Sequence, residues 1–380
     1  MNARGLLANL ALLLAALLVF FLLAEAGVRL LTPYSPSLLV ADPVVGKRFL
    51  PGFAARIHVP ECGCEVDVRF DREGLRGPDR PYAKPSGVKR VALVGDSMVA
   101  AVATAEEKTL AARLERLLSA SRPEATWEVM NAGVSSSSTG SELALYRAVL
   151  ERYAPDLLVL VFWVGNDLAD NSHELTSAPR LYFDLDASGR LVQLPFAFEP
   201  NPVGSWLDRW SRFYVWQKAA FRQLRGGVHA ATRGLEPVEL VFADPEPPAV
   251  ARAWAITGAL LRAFREEAAA HGTRLVLVTA PSAAQVYDDL WRELEARANG
   301  DGATVAREHP EARLAAIARQ LGIPFLALLP AFRAAAPARD STRSGEQLYF
   351  EGRYHWNDAG NALAAQTVHA FVLAAVQSGP

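Results

Sequence analysis

The stretch Lys89-Arg-Val-Ala-Leu-Val-Gly-Asp-Ser-Met-Val99 decides how the rest of the chain is read. It is a short apolar run closed by Gly95-Asp96-Ser97, and a helical pattern follows from about 106 to 118. An apolar run of this length bounded by glycine reads as a buried parallel strand. A serine at the strand-to-helix turn then stands outside the carboxyl end of the strand, where α/β sheets place their ligands. The next helix would turn its N-terminal N–H groups toward an anion formed there. Ser97 is therefore a candidate nucleophile, although the same position also suits a plain helix cap.

Working outward, the pattern from Val88 onward alternates strand and helix. Strands are expected at 90–94, 127–131, 157–164, 274–279 and 324–329, and helices at 106–121, 141–153, 249–270, 311–321 and 361–376. Five apolar strands separated by amphipathic helices predict a flavodoxin-like three-layer α/β/α sandwich on a mostly parallel five-stranded sheet. A long insertion, about 168–248, interrupts it. The insertion carries an expected hairpin (181–185 and 191–194) and an aromatic helix over 205–224. Trp206, Trp210, Phe213 and Trp216 form one stripe on that helix. The stripe reads as packed on the main domain; a lid over an apolar substrate or a membrane-interface surface are the alternatives.

Ahead of the sandwich, residues 5–24 carry no charge. Roughly 20 apolar residues match the ~30 Å hydrocarbon core of a bilayer. Residues 1–31 are thus expected to be an N-terminal transmembrane anchor, with Glu25 and Arg29 paired at its far end. A cleavable signal peptide is the alternative, since Ala24-Glu25-Ala26 fits a small-x-small cleavage pattern. Both readings export the remainder to the periplasmic or extracellular side. Residues 32–86, rich in Pro and Gly with short alternating patches, read as a small β-rich collar, leaving 87–380 as the catalytic domain. In the collar, His58, Glu61, Cys62 and Cys64 are too crowded for a tetrahedral metal site, and paired or partly buried thiols are expected instead. Across 380 residues, 39 basic side chains face 41 acidic ones, so no basic stripe supports nucleic-acid binding. Two cysteines exclude a disulfide scaffold. No G-x-G-x-x-G or G-K-[ST] sequence points to a nucleotide.

Three further stretches fall at strand ends. Asn131-Ala-Gly133-Val134, followed by Ser135 to Ser138, follows the second strand, and Gly133 would let the backbone offer an N–H to a reacting centre. Gly165-Asn166-Asp167 follows the third, and the Asn166 amide could donate to an oxyanion. Tyr354-His355-Trp356-Asn357-Asp358-Ala-Gly360 enters the last helix, where a loop can bring His355 back to Ser97. Asp96 and Asp167 read as loop-shaping residues, and Asp358 as the cap of the last helix.

In this order and on these element ends, the four blocks resemble those of the SGNH hydrolases, the GDSL-like esterase and lipase superfamily. Met98 stands where the name-giving motif has Leu. The transmembrane start and Asp71-Arg-Glu-Gly-Leu-Arg-Gly77 resemble the membrane-anchored bacterial members. The resemblance implies Ser97 as nucleophile, His355 as general base and acid, and an oxyanion hole of Ser97, Gly133 and Asn166. It implies no metal and no organic cofactor. The family's triad acid precedes the histidine by two or three residues, where this chain has Arg353 and Gly352; Glu351 is the nearest carboxylate. Glu351 is accordingly expected to orient His355, with a Ser–His dyad as the alternative. The expected activity is a serine esterase cleaving an acetyl or short acyl ester. An O-acyltransferase acting on an exported polysaccharide and an inactive glycan-binding module are the alternatives.

Overall fold

The computed structural model describes residues 3–196, 201–229, 235–300, 302–336, 347–351 and 354–377. An apolar helix, α1 (Ala3–Leu31), leads into two antiparallel hairpins: β1 (Leu39–Asp42) with β2 (Gly46–Phe49), and β3 (Ala54–Val59) with β4 (Cys64–Arg69). Then comes the sandwich. Its strands are β5 (Val88–Gly95), β6 (Thr126–Gly133), β7 (Leu157–Trp163), and, beyond the small hairpin of β8 (Phe183–Leu185) and β9 (Leu191–Gln193), β10 (Arg274–Ala280) and β11 (Phe325–Ala327). The sheet order is β11-β10-β7-β5-β6, and every pair is parallel. The α/β sandwich with an apolar N-terminal helix expected from the pattern is what the chain forms.

The side-chain period of two explains the layers. In β5, Ala92 and Val94 point to one face with Leu158, Leu160 and Phe162 of β7. That face is covered by α4 (Thr139–Ala148) and α8 (Pro248–Ala270). Val91 and Leu93 point to the other face with Val159, Val161, Val276 and Val278, under α3 (Leu110–Ser121) and α13 (Asp358–Gln377). Both faces are dry, so these strands read as continuous apolar runs rather than as alternations. Each fully buried Val, Leu or Phe among them contributes about 1.5–3 kcal/mol relative to exposure.

The chain steps from β5 to β6 on one side and then crosses to β7 on the other. β5 therefore ends at the topological switch point, where a crevice opens outside the strand ends. Ser97 starts the short helix α2 (Ser97–Ala100) at that point.

Several boundaries differ from the sequence expectation. Glu106–Lys108 forms a separate single turn ahead of α3; α5 (Asp167–Asp170), α9 (Ala283–Val286), α10 (Asp288–Gly300) and α12 (Leu329–Ala335) fill stretches for which no helix was expected, and α11 (His309–Leu321) fills one for which a helix was. The aromatic helix is two helices, α6 (Pro202–Trp210) and α7 (Arg212–His229), because Ser211 between them is extended at φ −110°, ψ 109°. Its stripe does not pack on the sandwich: Trp206, Trp210 and Trp216 are exposed.

The 71–77 segment clamps the hairpins to the sandwich. Asp71 Oδ1 accepts from the N–H of Glu73 and Leu75, both at 2.8 Å, shaping the turn. A Cβ on Gly74 (φ +81°) would lie 2.5 Å from the Phe49 carbonyl oxygen, so the close approach requires glycine. Arg76, buried, donates to the carbonyls of Ala100, Ala101 and Thr104. It thereby fixes the loop that follows the Ser97 helix.

Candidate active site

Asp96 caps α2, its Oδ1 accepting from Met98 N–H at 2.8 Å, and this turns the next side chain, Ser97, outward. Ser97 Oγ lies 2.8 Å from His355 Nε2. The loop bearing His355 is built by the residues around it. Phe350 N–H donates to the His355 carbonyl at 3.0 Å and Asn357 N–H to the Leu348 carbonyl at 3.1 Å, a short ladder between two chain segments. Trp356, 2% exposed, drives into the core against Phe332 at 5.1 Å between ring centroids. Asn357, rather than Asp358, caps α13: its Oδ1 accepts from Ala359 and Gly360 N–H at 2.9 and 3.1 Å. Asp358 instead pairs with Lys108.

The carboxylate behind His355 is Glu61, not Glu351. Both Glu61 oxygens lie 2.7–2.8 Å from His355 Nδ1. This arrangement makes Nδ1 the protonated nitrogen and leaves Nε2 to accept from Ser97, a tautomer assigned from its partners. Glu61 stands at the tip of the β3–β4 hairpin, next to the Cys62–Cys64 disulfide that closes the turn. Glu351 is exposed on the wall of a neighbouring groove and makes no bond to His355 among the described residues. Gly352 and Arg353 lie outside the described residues. Burial disfavours charge on His355, but the hydrogen bond and charge of Glu61, with the charge of Asp96, outweigh it and raise its pKa. The Trp163 ring stacks on the imidazole at 6.0 Å, limiting its rotation.

The expected oxyanion donors fare differently. Gly133 N–H already donates to Asn131 Oδ1 at 3.1 Å, and a Cβ on Gly133 would meet the backbone N of Ala100 at 2.2 Å. Gly133 thus lets α2 lie directly on β6, and it is not among the residues that line the small cavity. Asn131 completes that seat by donating from Nδ2 to the Val99 carbonyl at 2.8 Å. The cavity wall is formed instead by the next turn, where Ser135 lines it and Ser136 holds φ +63°. The N–H groups of Ser135 and Ser136 donate to nothing among the described residues. Ser137 bonds Glu142 and Ser138 caps α4, so the second half of the serine run is structural. Asn166 Nδ2 donates to Asp170 Oδ2 at 2.9 Å, leaving its second N–H for another acceptor.

Four carboxylates on the loops and helices behind these strand ends, Asp96, Glu142, Asp167 and Asp170, are buried. Burial, joined by repulsion from neighbouring carboxylates, raises Asp96 to about 6 and Glu142 to about 8 and lifts Asp167, while burial alone lifts Asp170 against the pull of Arg180. Asp167 still accepts from Trp163 N–H at 2.7 Å and so shapes the loop after β7. Ser97, Glu61, Ser135 and His355 surround a small cavity of about 70 Å³. Beside it, sharing Ala103 and Phe350, runs a groove of about 770 Å³ walled by Lys108, Tyr349, Glu351 and the disulfide.

Residues 245–379, which include His355, match the sequence model of a family described as the SGNH hydrolase-like domain of acetyltransferase AlgX. No curated protein matches the chain. Among solved structures it is similar to a two-domain esterase active on acetylated mannans, at 13% identity and TM-score 0.37, over 77% of this chain and 51% of that one. The chain thus spans about half the length of that esterase. It is also similar to Axe2, an acetylxylan esterase from Geobacillus stearothermophilus, at 14% identity and TM-score 0.38 over 74% and 92% of the two chains. A third is TesA, at 14% identity and TM-score 0.39 over 75% and 98%. Residues 245–379 thus match an SGNH hydrolase-like domain, and they supply the sheet's β10 and β11 and the loop that bears His355.

Proposed function

We propose that this chain is an exported, membrane-tethered serine esterase that cleaves an acetyl or short acyl ester through a Ser97 acyl-enzyme. The observation that carries this reading is the unbroken chain Ser97 Oγ–His355 Nε2 at 2.8 Å and His355 Nδ1–Glu61 at 2.7 Å. His355 would take the Ser97 proton as Oγ attacks the ester carbonyl, and Glu61 would hold the imidazolium that forms. The developing oxyanion would receive the N–H of Ser97, the second Asn166 amide hydrogen and the turn of Ser135 and Ser136. Each such donor typically contributes ~3 kcal/mol to the transition state. His355 would then protonate the leaving alcohol, and water would hydrolyse the acyl-enzyme by the same route reversed. The small cavity suits a short acyl group, and the adjoining groove has the size of a ligand site. No step needs a metal or an organic cofactor.

A second reading, O-acyl transfer to an exported polysaccharide, draws on the family match, which is to an acetyltransferase domain. It uses the same acyl-enzyme and differs only in the acceptor. The inactive-module alternative loses its motive, since a carboxylate stands behind His355. The test is p-nitrophenyl acetate turnover and fluorophosphonate labelling of the full chain in detergent, beside Ser97→Ala. Turnover and labelling that fall by ~10³-fold or more in the variant are expected. Labelling without turnover in water would favour transfer, and a folded protein with neither would overturn both enzyme readings.

A further inference from the structure

Helices α6 and α7 expose a run of large apolar side chains. On α6, Val203, Trp206 and Trp210 recur every three to four residues and are 67, 61 and 57% exposed. Trp216 and Phe221 on α7 are about half exposed. A contiguous apolar face of this kind marks an interaction surface.

The level of this face is set by α1. The junction of the two helices is fastened to it: Glu25 accepts from Ser211 Oγ at 2.8 Å and from the N–H of Arg212 and Phe213 at 2.9 and 3.0 Å. Arg29 donates to the Trp210 carbonyl at 2.8 Å. The Phe213 ring packs edge-on against Phe20 and Phe21 at 6.3 and 6.1 Å. The charge-free run 5–24 measures ~30 Å along the helix, so the hydrocarbon layer ends near Glu25. Phe213 therefore reaches about one turn to the hydrocarbon side of that boundary. The neighbouring tryptophans stand where aromatic belts sit in membrane proteins. Arg209 and Arg212 lie at the same junction, with Arg212 also over the Tyr34 ring at 4.5 Å.

We infer that α6 and α7 form an interfacial helix pair whose aromatic face is buried in phospholipid, in the leaflet at the C-terminal end of α1. The inference rests on reading α1 as a membrane anchor. Its consequence concerns the site. A groove of about 420 Å³, walled by Tyr34, Arg212 and Trp216, extends to His58 and Pro60 on the hairpin that carries Glu61. Lipid along this face holds that hairpin, and with it the Ser97 pocket, close to the membrane surface.

The test uses the full chain in nanodiscs of phosphatidylcholine and phosphatidylglycerol, with a nitroxide on a single introduced cysteine. The native cysteines are paired and do not compete for label. Trp206→Cys and Trp210→Cys report the face, Phe20→Cys the anchor and Ser188→Cys the exposed hairpin tip. Labels at 206 and 210 are expected to be more accessible to oxygen than to a water-soluble nickel chelate, as at 20 and opposite to 188. Nickel access at 206 and 210 with lipid burial at 20 overturns the inference alone. Nickel access at 20 overturns the anchor reading with it. Protection from both reagents with spin–spin broadening overturns it in favour of a second copy of the chain. Esterase turnover, read separately, is independent of all these outcomes.

Discussion

Glu61 and His355 lie 294 positions apart in the chain and meet at 2.7 Å. The carboxylate comes from a hairpin outside the parallel sheet, and the imidazole from the loop entering the last helix. The hairpin segment is thus part of the candidate catalytic apparatus as well as a connection between the apolar helix and the sandwich.

Glu61→Gln is expected to lower kcat/KM for p-nitrophenyl acetate by ~10²–10⁴-fold, the scale on which loss of a triad carboxylate acts. Glu351→Ala is expected to change it by less than about 2-fold, because an exposed side chain away from His355 leaves the imidazole untouched. Steady-state kinetics on the two variants decide the matter. A large loss in Glu351→Ala with none in Glu61→Gln would reverse the assignment.

The same contact sets a pH dependence. His355 must be neutral to act as base, so kcat/KM rises with pH through its pKa. Glu61 and Asp96 hold that pKa above the ordinary 6.5 against the effect of burial. Removing the Glu61 charge leaves burial less opposed, so the acidic limb of the profile is expected to move to lower pH in Glu61→Gln while the plateau drops. An unmoved limb would mean that Glu61 does not interact with the titrating group.

Cys62–Cys64 closes a turn of only two residues' separation. So short a loop constrains the unfolded chain little, and replacing both cysteines by serine is expected to lower global stability by at most about 1.5 kcal/mol. Activity should fall far more than stability, because the turn that presents Glu61 is loosened. Urea denaturation and turnover measured on one sample separate the two effects; a proportionate loss of both would contradict this account.

Glu142 provides a stability test away from the reacting atoms. Burial first, and the charge of Asp96 next, raise its pKa from 4.5 to about 8. Between those values the folded chain keeps a proton that the unfolded chain releases, so this group's contribution to stability is lost as pH rises through the window. Glu142→Gln is expected to be more stable than the parent by on the order of 1–2 kcal/mol at about pH 9, with the difference vanishing below about pH 4.5. Denaturant midpoints at both ends of the range read this out, and a constant difference would contradict it.

The sandwich was legible because its signal is local and repeated. Apolar runs such as 90–94 and 157–164 are buried on both faces, and a parallel sheet needs strands of that kind. Ser97 and His355, which meet at 2.8 Å, were legible as candidates because one stands at the end of such a strand and the other just ahead of a helix. The break at Ser211 was less so, since its cause is a carboxylate on a different helix, Glu25, accepting the N–H groups that begin α7. Gly133 was noticed for its missing side chain, and what that space does in the fold is seat α2 on β6.

By itself the sequence determined the class of fold, the nucleophile–histidine pair as candidates and the apolar N-terminal helix, because periodicity and turn chemistry are written within a few residues of one another. Only the tertiary structure decided which carboxylate serves His355 and which turn walls the cavity. Glu61 carries no mark of its partner in its own neighbourhood, where His58, Cys62 and Cys64 pointed only to a cluster too crowded for a metal and to paired or partly buried thiols. Its role arises when Arg76 and the hairpin packing bring that turn over the carboxyl end of β5, a contact across nearly the whole chain that no short-range pattern encodes.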